Sequence, residues 1–205
     1  LPAVFDQRNL SLAEASLNAL ARLGVLAGLK APTGPIRRIH ISRAGDFGRV
    51  LLEAGDHGRA RFGEVVVARD FGEALEARLA SLRHLVRLRP ARFLGFEADD
   101  GAVRRVRIAD DAGERVLAAR LVVAADGTHS AVREALGIGA QQHDYRQTLF
   151  VARVRADRAP DGTAWERLGD HGPTAILPRG DGAYGTIHGV ATDDESRNPV
   201  TSHVV

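Results

Sequence analysis

At 205 residues, with 44% hydrophobic and 26% charged residues, the chain is long enough to bury a core and has the make-up of a globular protein, not a disordered one. The formal charge is only +2, and Lys30 is the sole lysine; the arginines interleave with Asp and Glu and form no one-sided basic patch, so nucleic acid is not an expected partner. Cysteine is absent, which excludes disulfides, thiolate catalysis and Cys-based metal sites and agrees with a cytoplasmic home, and no apolar run approaches the roughly 20 residues that span a bilayer.

The first strong helical pattern begins at Ser11, with Glu14 at capping-box spacing. Leu12, Leu17, Leu20 and Leu23 supply its apolar side, and Gly24 ends it. The passage Ala31-Pro32-Thr33-Gly34-Pro35 then breaks the chain. Beyond it, Ile39 and Ile41 alternate with Arg38, His40 and Ser42 as a half-buried strand. Val50-Leu51-Leu52 is its predicted partner, followed by a loop around Asp56-His57-Gly58.

A strand over Glu64 to Ala68 leads into a second helix, with Asp70 and Glu73 as its predicted cap and Phe71, Leu75, Leu79, Leu82 and Leu85 as its stripe. Three short strands follow as a predicted meander: Val86/Leu88, Phe93 to Phe96, and Val103 to Ile108. The turn-like runs Asp99-Asp100-Gly101 and Asp110-Asp111-Ala112-Gly113 punctuate it. After Gly139 the pattern is strand-rich again, over Leu149 to Val154, Thr174 to Leu177 and Tyr184 to Val190. The whole reads as mixed α/β, one part like a nucleotide-fold fragment and the other like an antiparallel sheet.

The densest information lies between Arg120 and Ile138. A predicted buried strand, Leu121-Val122-Val123-Ala124-Ala125, stops at Asp126-Gly127, and Thr128, His129 and Ser130 lead into a short helix whose Val132 and Leu136 share a face. A carboxylate and a glycine at the end of a strand suit a nucleotide or flavin, because glycine admits close backbone approach and open α/β sheets bind ligands outside their strand ends. A tight turn with no ligand has the same local chemistry, and that alternative stays open on these residues alone.

Other candidate motifs are weaker. Gly180-Asp181-Gly182-Ala183-Tyr184-Gly185 matches G-x-G-x-x-G, yet the residues from Tyr184 to Val190 read as a strand and not a helix, so Asp181-Gly182 is a predicted hairpin turn. The eight histidines show no metal spacing, and Asp126, His129 and Ser130 lack the elbow that a Ser-His-Asp hydrolase needs. Arg8 and Arg69 each precede a helix, a place where surface arginines are ordinary.

Taken together, Phe5-Asp6-Gln7-Arg8 before a helix, Val65-Val66-Val67-Ala68-Arg69 before a helix, a meander, and Val122 to Arg133 around Asp126-Gly127 resemble the class A flavoprotein aromatic hydroxylases. Tyr145-Arg146-Gln147, Glu166 and the run His171-Gly172-Pro173-Thr174-Ala175-Ile176-Leu177-Pro178 resemble the ubiquinone-biosynthesis branch. The resemblance extends from Phe5 to about Val190. It implies a partial Rossmann-like FAD domain interleaved with an antiparallel-sheet substrate domain, incomplete at both ends. The FAD part falls on residues 1–30 and 64–144, and the substrate sheet on 31–63 and 145–205.

The same resemblance implies that Arg8 and Arg69 contact FAD, and that Asp126, Gly127, Ser130 and Arg133 serve FAD and the reductant NAD(P)H. The hard chemistry would belong to the cofactor, so no catalytic side chain is named. The implied substrate is a small aromatic, prenylated in this branch; a prenyl tail places the enzyme peripherally at the inner membrane face, with other ubiquinone-biosynthesis proteins as partners. Rival readings are a flavin-fold hydroxylase or reductase of a soluble aromatic, and an inactive remnant or binding domain without flavin.

The chain also departs from the family pattern. Its N-terminal glycine-loop unit and its later Gly-Asp motif are absent from these residues, His188 stands where the branch often has a bulkier apolar or aromatic residue, and Ser196 to Val205 no longer resembles it. With no methionine and an opening at Leu1-Pro2-Ala3-Val4-Phe5, the chain reads as a central fragment, expected to bind FAD weakly or not at all and to lack hydroxylase activity.

Overall fold

A computed structural model describes residues 6–98 and 101–193. In chain order the strands and helices are β1 (Asn9–Ala13), α1 (Glu14–Arg22), β2 (Gly34–Ile36), β3 (Arg38–Arg43), β4 (Arg49–Glu53), β5 (Gly63–Val67), α2 (Ala68–Ala80), β6 (Ala91–Glu97), β7 (Arg104–Asp110), β8 (Gly113–Ala119), α3 (Ala131–Ala135), β9 (Gln147–Val154), β10 (Thr163–Gly169), β11 (Gly172–Pro178) and β12 (Tyr184–Ala191). They form two compact units. One comprises the described parts of Leu1–Arg83 and Asp144–Val205; the other is His84–His143. The mixed α/β class expected from the sequence holds.

In the first unit, a three-stranded antiparallel sheet has the order β1-β5-β2. A six-stranded sheet has the order β4-β3-β10-β11-β12-β9 and is antiparallel except for the parallel pair β3–β10. Ile36, Val65 and Ala164 form a buried cluster between these sheets, with Ile39, Phe62 and Leu177 packed on it. Gly34 and Pro178 meet so closely that a Cβ on Gly34 would stand 2.0 Å from the Pro178 carbonyl oxygen. The hairpin β11–β12 turns at Asp181-Gly182 with Gly182 at φ +76°, as predicted, which removes the G-x-G-x-x-G match as a dinucleotide loop.

Two predicted helix starts differ. Ser11 does not cap α1 but lies in β1 opposite Val65, and Ala13 occupies the cap position without a side-chain bond. The β-branched run Val65–Val67 offers Ser11 a ladder, which outweighs a local cap. Glu14 carries its N–H to the Phe62 carbonyl at 3.0 Å and its carboxylate to Arg59 at 2.8 Å. Asp70 likewise does not cap α2. It is buried in the first turn and accepts the Lys30 N–H at 3.0 Å and the Ala31 N–H at 3.1 Å, so it tethers the segment leading to β2. Glu73 pairs with the Lys30 ammonium at 3.1 Å.

Other boundaries move for related reasons. Gly34-Pro35 belongs to β2 instead of a break, because Gly34 and Ile36 lie opposite Val65 and Gly63. Gly24, at φ +76°, does follow the end of α1. The second helix stops at Ala80, leaving Leu82 and Leu85 beyond it and exposed. The strand predicted at Val50 to Leu52 pairs with β3 as expected.

In the second unit, β6-β7-β8 form an antiparallel meander. It lies one strand further along the chain than predicted. Val86 and Leu88 form no strand, while Gly113–Ala119 does, through a hairpin that turns on Asp110 to Gly113. Of the other predicted turn, Asp99 and Asp100 lie outside the described residues, as does the segment from Ser196 to Val205. The predicted strand over Leu121 to Ala125 is absent: these residues have no ladder partner among the described residues, and Leu121 and Val123 are 77% and 76% exposed. A strand exists only as part of a ladder, and no described segment supplies one here.

Candidate functional site

The six candidate cofactor residues divide between the units, Arg8 and Arg69 in the first and Asp126, Gly127, Ser130 and Arg133 in the second. Arg8 and Arg69 are brought together by the backbone at the junction of β5 and α2. The Ala68 N–H donates to the Arg8 carbonyl at 2.9 Å, and the Arg69 N–H donates to the Asp6 carbonyl at 3.0 Å.

The Arg8 guanidinium grips Asp6 in bidentate fashion, Nε to Oδ1 at 2.9 Å and Nη2 to Oδ2 at 2.7 Å. That bond holds the Asp6 carboxyl at about 2, well below the usual range, and raises the guanidinium pKa further. Arg8 remains exposed, with its Nη1 lacking a protein partner among the described residues, and Arg69 lies 4.0 Å from Glu73. Two guanidinium groups at one strand–helix junction, one with an open edge, are a donor set that fits a pyrophosphate or a flavin edge.

In the second unit Asp126, Ser130 and Arg133 form a closed local network. The Ser130 hydroxyl donates to Asp126 Oδ1 at 2.5 Å and accepts the Arg133 N–H at 3.0 Å, capping α3. The Val132 N–H donates to Asp126 Oδ2 at 3.2 Å, and Arg133 Nη2 reaches the Thr128 carbonyl at 2.8 Å. The Ser130 hydroxyl, and after it the Val132 amide, lower the Asp126 pKa. Gly127, at φ +85°, makes the turn that aims Asp126 back at Ser130. Asp126 does not end a buried strand, as its sequence context suggests, but leads into a turn from largely exposed chain that forms no strand. Val132 and Leu136 meet through a backbone bond at 3.2 Å, with Leu136 exposed.

One group escapes the sequence reading altogether. Arg179 is buried, its side chain only 3% exposed, at the base of the β11–β12 hairpin. Its Nη2 meets Asp181 Oδ2 at 2.8 Å, and its Nη1 donates to Asn9 Oδ1 at 2.5 Å and to the Gln7 carbonyl at 3.4 Å. Arg153 also reaches Asp181, at 3.1 Å. Arg179, chiefly, holds the Asp181 carboxyl at about 2. The signal available in the sequence is an arginine two residues before the aspartate of a tight turn.

A separate cavity of about 170 Å³ opens on the six-stranded sheet, with Arg167, Asp170, His171, Thr174 and His188 among its lining residues. His188 Nδ1 lies 2.8 Å from the Thr174 hydroxyl, and its Nε2 has no partner among the described residues. The volume is that of a space able to take one aromatic ring.

Residues 3–202 match the family described as FAD binding domain. The chain is 34% identical over 159 residues to the uncharacterized protein slr1300 of Synechocystis, covering 78% of this chain and 38% of that protein. It is 33% identical over 178 residues to ubiquinone hydroxylase UbiL of Rhodospirillum rubrum, covering 87% of this chain and 40% of that protein. The chain thus spans less than half the length of these relatives. Among solved structures it resembles PqsL of Pseudomonas aeruginosa, a probable FAD-dependent monooxygenase (TM-score 0.73, 18% identity, 93% of this chain and 52% of that one). It also resembles Klebsiella pneumoniae HpxO complexed with FAD and uric acid (TM-score 0.66, 21% identity, 90% and 47%). At these identities the likeness shows the fold.

Proposed function

Because the chain belongs to the family of FAD binding domains, we propose that it forms the central part of an FAD- and NAD(P)H-dependent aromatic monooxygenase. Its substrate is a polyprenylated phenol on the way to ubiquinone, as for 2-octaprenyl-6-methoxyphenol hydroxylases. The observation that carries this reading is the 33% identity to a ubiquinone hydroxylase across 87% of the chain. Residues 1–30 and 64–144 contribute to the FAD domain, and 31–63 and 145–205 to the substrate sheet.

When bound, FAD would supply the redox chemistry of monooxygenation, in which NAD(P)H provides two electrons, one atom of molecular oxygen enters the ring and the other leaves as water. The chain's own residues bind and orient. Arg8 and Arg69 hold the cofactor through their guanidinium donors, and Asp126, Gly127, Ser130 and Arg133 form the turn that meets FAD and NAD(P)H. The prenyl tail keeps the enzyme at the membrane surface on the cytoplasmic side, beside other proteins of the same biosynthesis; no helix among the described residues is long and apolar enough to cross a membrane.

A second reading, hydroxylation of a soluble polar aromatic, is favoured by the side chains of Arg167, Thr174 and His188, which stand among the residues that line the cavity. Consumption of NADH and NADPH, with product mass measured for prenylated and unprenylated phenols, separates the two. Gain of one oxygen by the prenylated phenol alone supports the first reading; gain only by soluble aromatic acids supports the second. Absence of flavin binding in the protein that contains this chain would sink both.

A further inference from the structure

Arginine is an expensive residue to bury, and at Arg179 the offset comes from a set of partners that reaches well beyond its own hairpin. Asp181 neutralises the charge from within the turn, with its other oxygen accepting the Ala183 N–H at 3.2 Å. The remaining edge of the guanidinium, Nη1, crosses to the first strand and takes the Gln7 carbonyl and the Asn9 side chain. Those two acceptors flank Arg8. On the far side, the Ala68 N–H fixes the Arg8 carbonyl. The backbone of Arg8 is therefore held between the start of α2 and the base of the β11–β12 hairpin.

The fit around Asn9 is close. A Cβ on Gly185 would stand 1.7 Å from Asn9 Nδ2, so only glycine leaves room for the amide at this point of β12. Asn9 Nδ2 is itself buried without a hydrogen-bond partner, which leaves the bond from Arg179 to Oδ1 as the contact that holds this side chain. Lysine has a single ammonium on a flexible stem and could not serve Asp181, Asn9 and Gln7 together, whereas the planar fork of arginine does.

We propose that Arg179 is a positioning residue, which clamps Gln7 and Asn9 from the base of the β11–β12 hairpin and so sets where Arg8 presents its guanidinium. The inference rests on the reading of Arg8 as an FAD contact. It assigns to the sheet hairpin a part in shaping the cofactor site.

Hydrogen exchange of the 205-residue chain tests the clamp without needing the cofactor. Arg179→Gln is expected to speed exchange of the backbone amides of residues 7–10 at least tenfold, while β5 and β3 keep their protection. Asn9→Ala removes only the acceptor and leaves the Arg179–Asp181 pair in place; it is expected to loosen the same amides and decides the matter should Arg179→Gln not fold. Exchange at 7–10 within twofold of the unsubstituted chain, or acceleration spread evenly over β5, β11 and β12, overturns the clamp. Addition of millimolar FAD to the ¹⁵N-labelled longer protein that contains this chain, unsubstituted or with the same substitutions, then reports on the Arg8 Nε–H. It is expected to shift that signal in the unsubstituted protein and to shift it less than half as far in Asn9→Ala. No shift in the unsubstituted protein overturns the reading of Arg8, and with it the purpose of the clamp, independently of the exchange result.

Discussion

The base of the β11–β12 hairpin and the turn at Asp126 are both built around an aspartate with a lowered pKa, but they close in different ways. At the hairpin, charged and apolar closure coincide: Arg179 and Asp181 pair beside Ala183 and Pro178, both buried, and against a glycine contact with β2. At Asp126 only the polar groups close, Ser130 and Val132 completing the carboxylate, while Leu121 and Val123 just before it face solvent. Local hydrogen bonds can organise a turn, but an apolar run becomes part of a core only where another element covers it.

The largest effect that sharpens this contrast is Gly34→Ala. Its Cβ would collide with the Pro178 backbone, which cannot yield as a side chain can, and a loss of about 3 kcal/mol in denaturant unfolding is expected. Next comes acid. Because the folded Asp181 carboxyl sits at about 2 against an ordinary 3.8, its stabilisation is present above the ordinary value and lost as pH falls toward 2. Unfolding of the chain and of Asp181→Asn should differ by up to about 2 kcal/mol at about pH 5, a difference that shrinks at about pH 2.5.

Ser130→Ala removes both the cap of α3 and the proton donor to Asp126, a loss of about 1 kcal/mol expected as faster amide exchange confined to residues 131–136. Leu121→Ser is the smallest. With no ladder partner among the described residues and an exposed side chain, it should change unfolding by less than about 0.5 kcal/mol. A loss of about 2 kcal/mol there would show that the run is covered in solution and would break the contrast.

Where an element finds its partner nearby, its residues announce it. The alternation at Ile39 and Ile41 and the Asp181-Gly182 turn read correctly, because hairpin partners and side-chain period are local properties. Ser11 and Asp70 mislead because a capping residue and a tether look alike until the partner is seen; one finds the valines of β5, the other the amides of Lys30 and Ala31. β10, whose residues Trp165-Glu166-Arg167 show only weak apolar alternation, is fixed by neighbours on both sides. Of the candidate site, the grouping of Asp126 with Ser130 and Arg133 is legible, since those residues lie within one turn of chain. The reach of Arg179 to the first strand is not, because Asn9 and Gln7 lie about 170 residues away along the chain; only its pairing with Asp181 is local.

The parallel pairing of β3 with β10 has a kinetic consequence. Residues 38–43 meet 163–168 only after the whole of the second unit, His84–His143, has been made. During synthesis the β3–β4 hairpin therefore waits with one bare edge, and closing it requires one of the longest loops the chain can form, a slow step compared with the hairpins at either side. Until β10 arrives, that edge is where a nascent chain is most open to pairing with a neighbour.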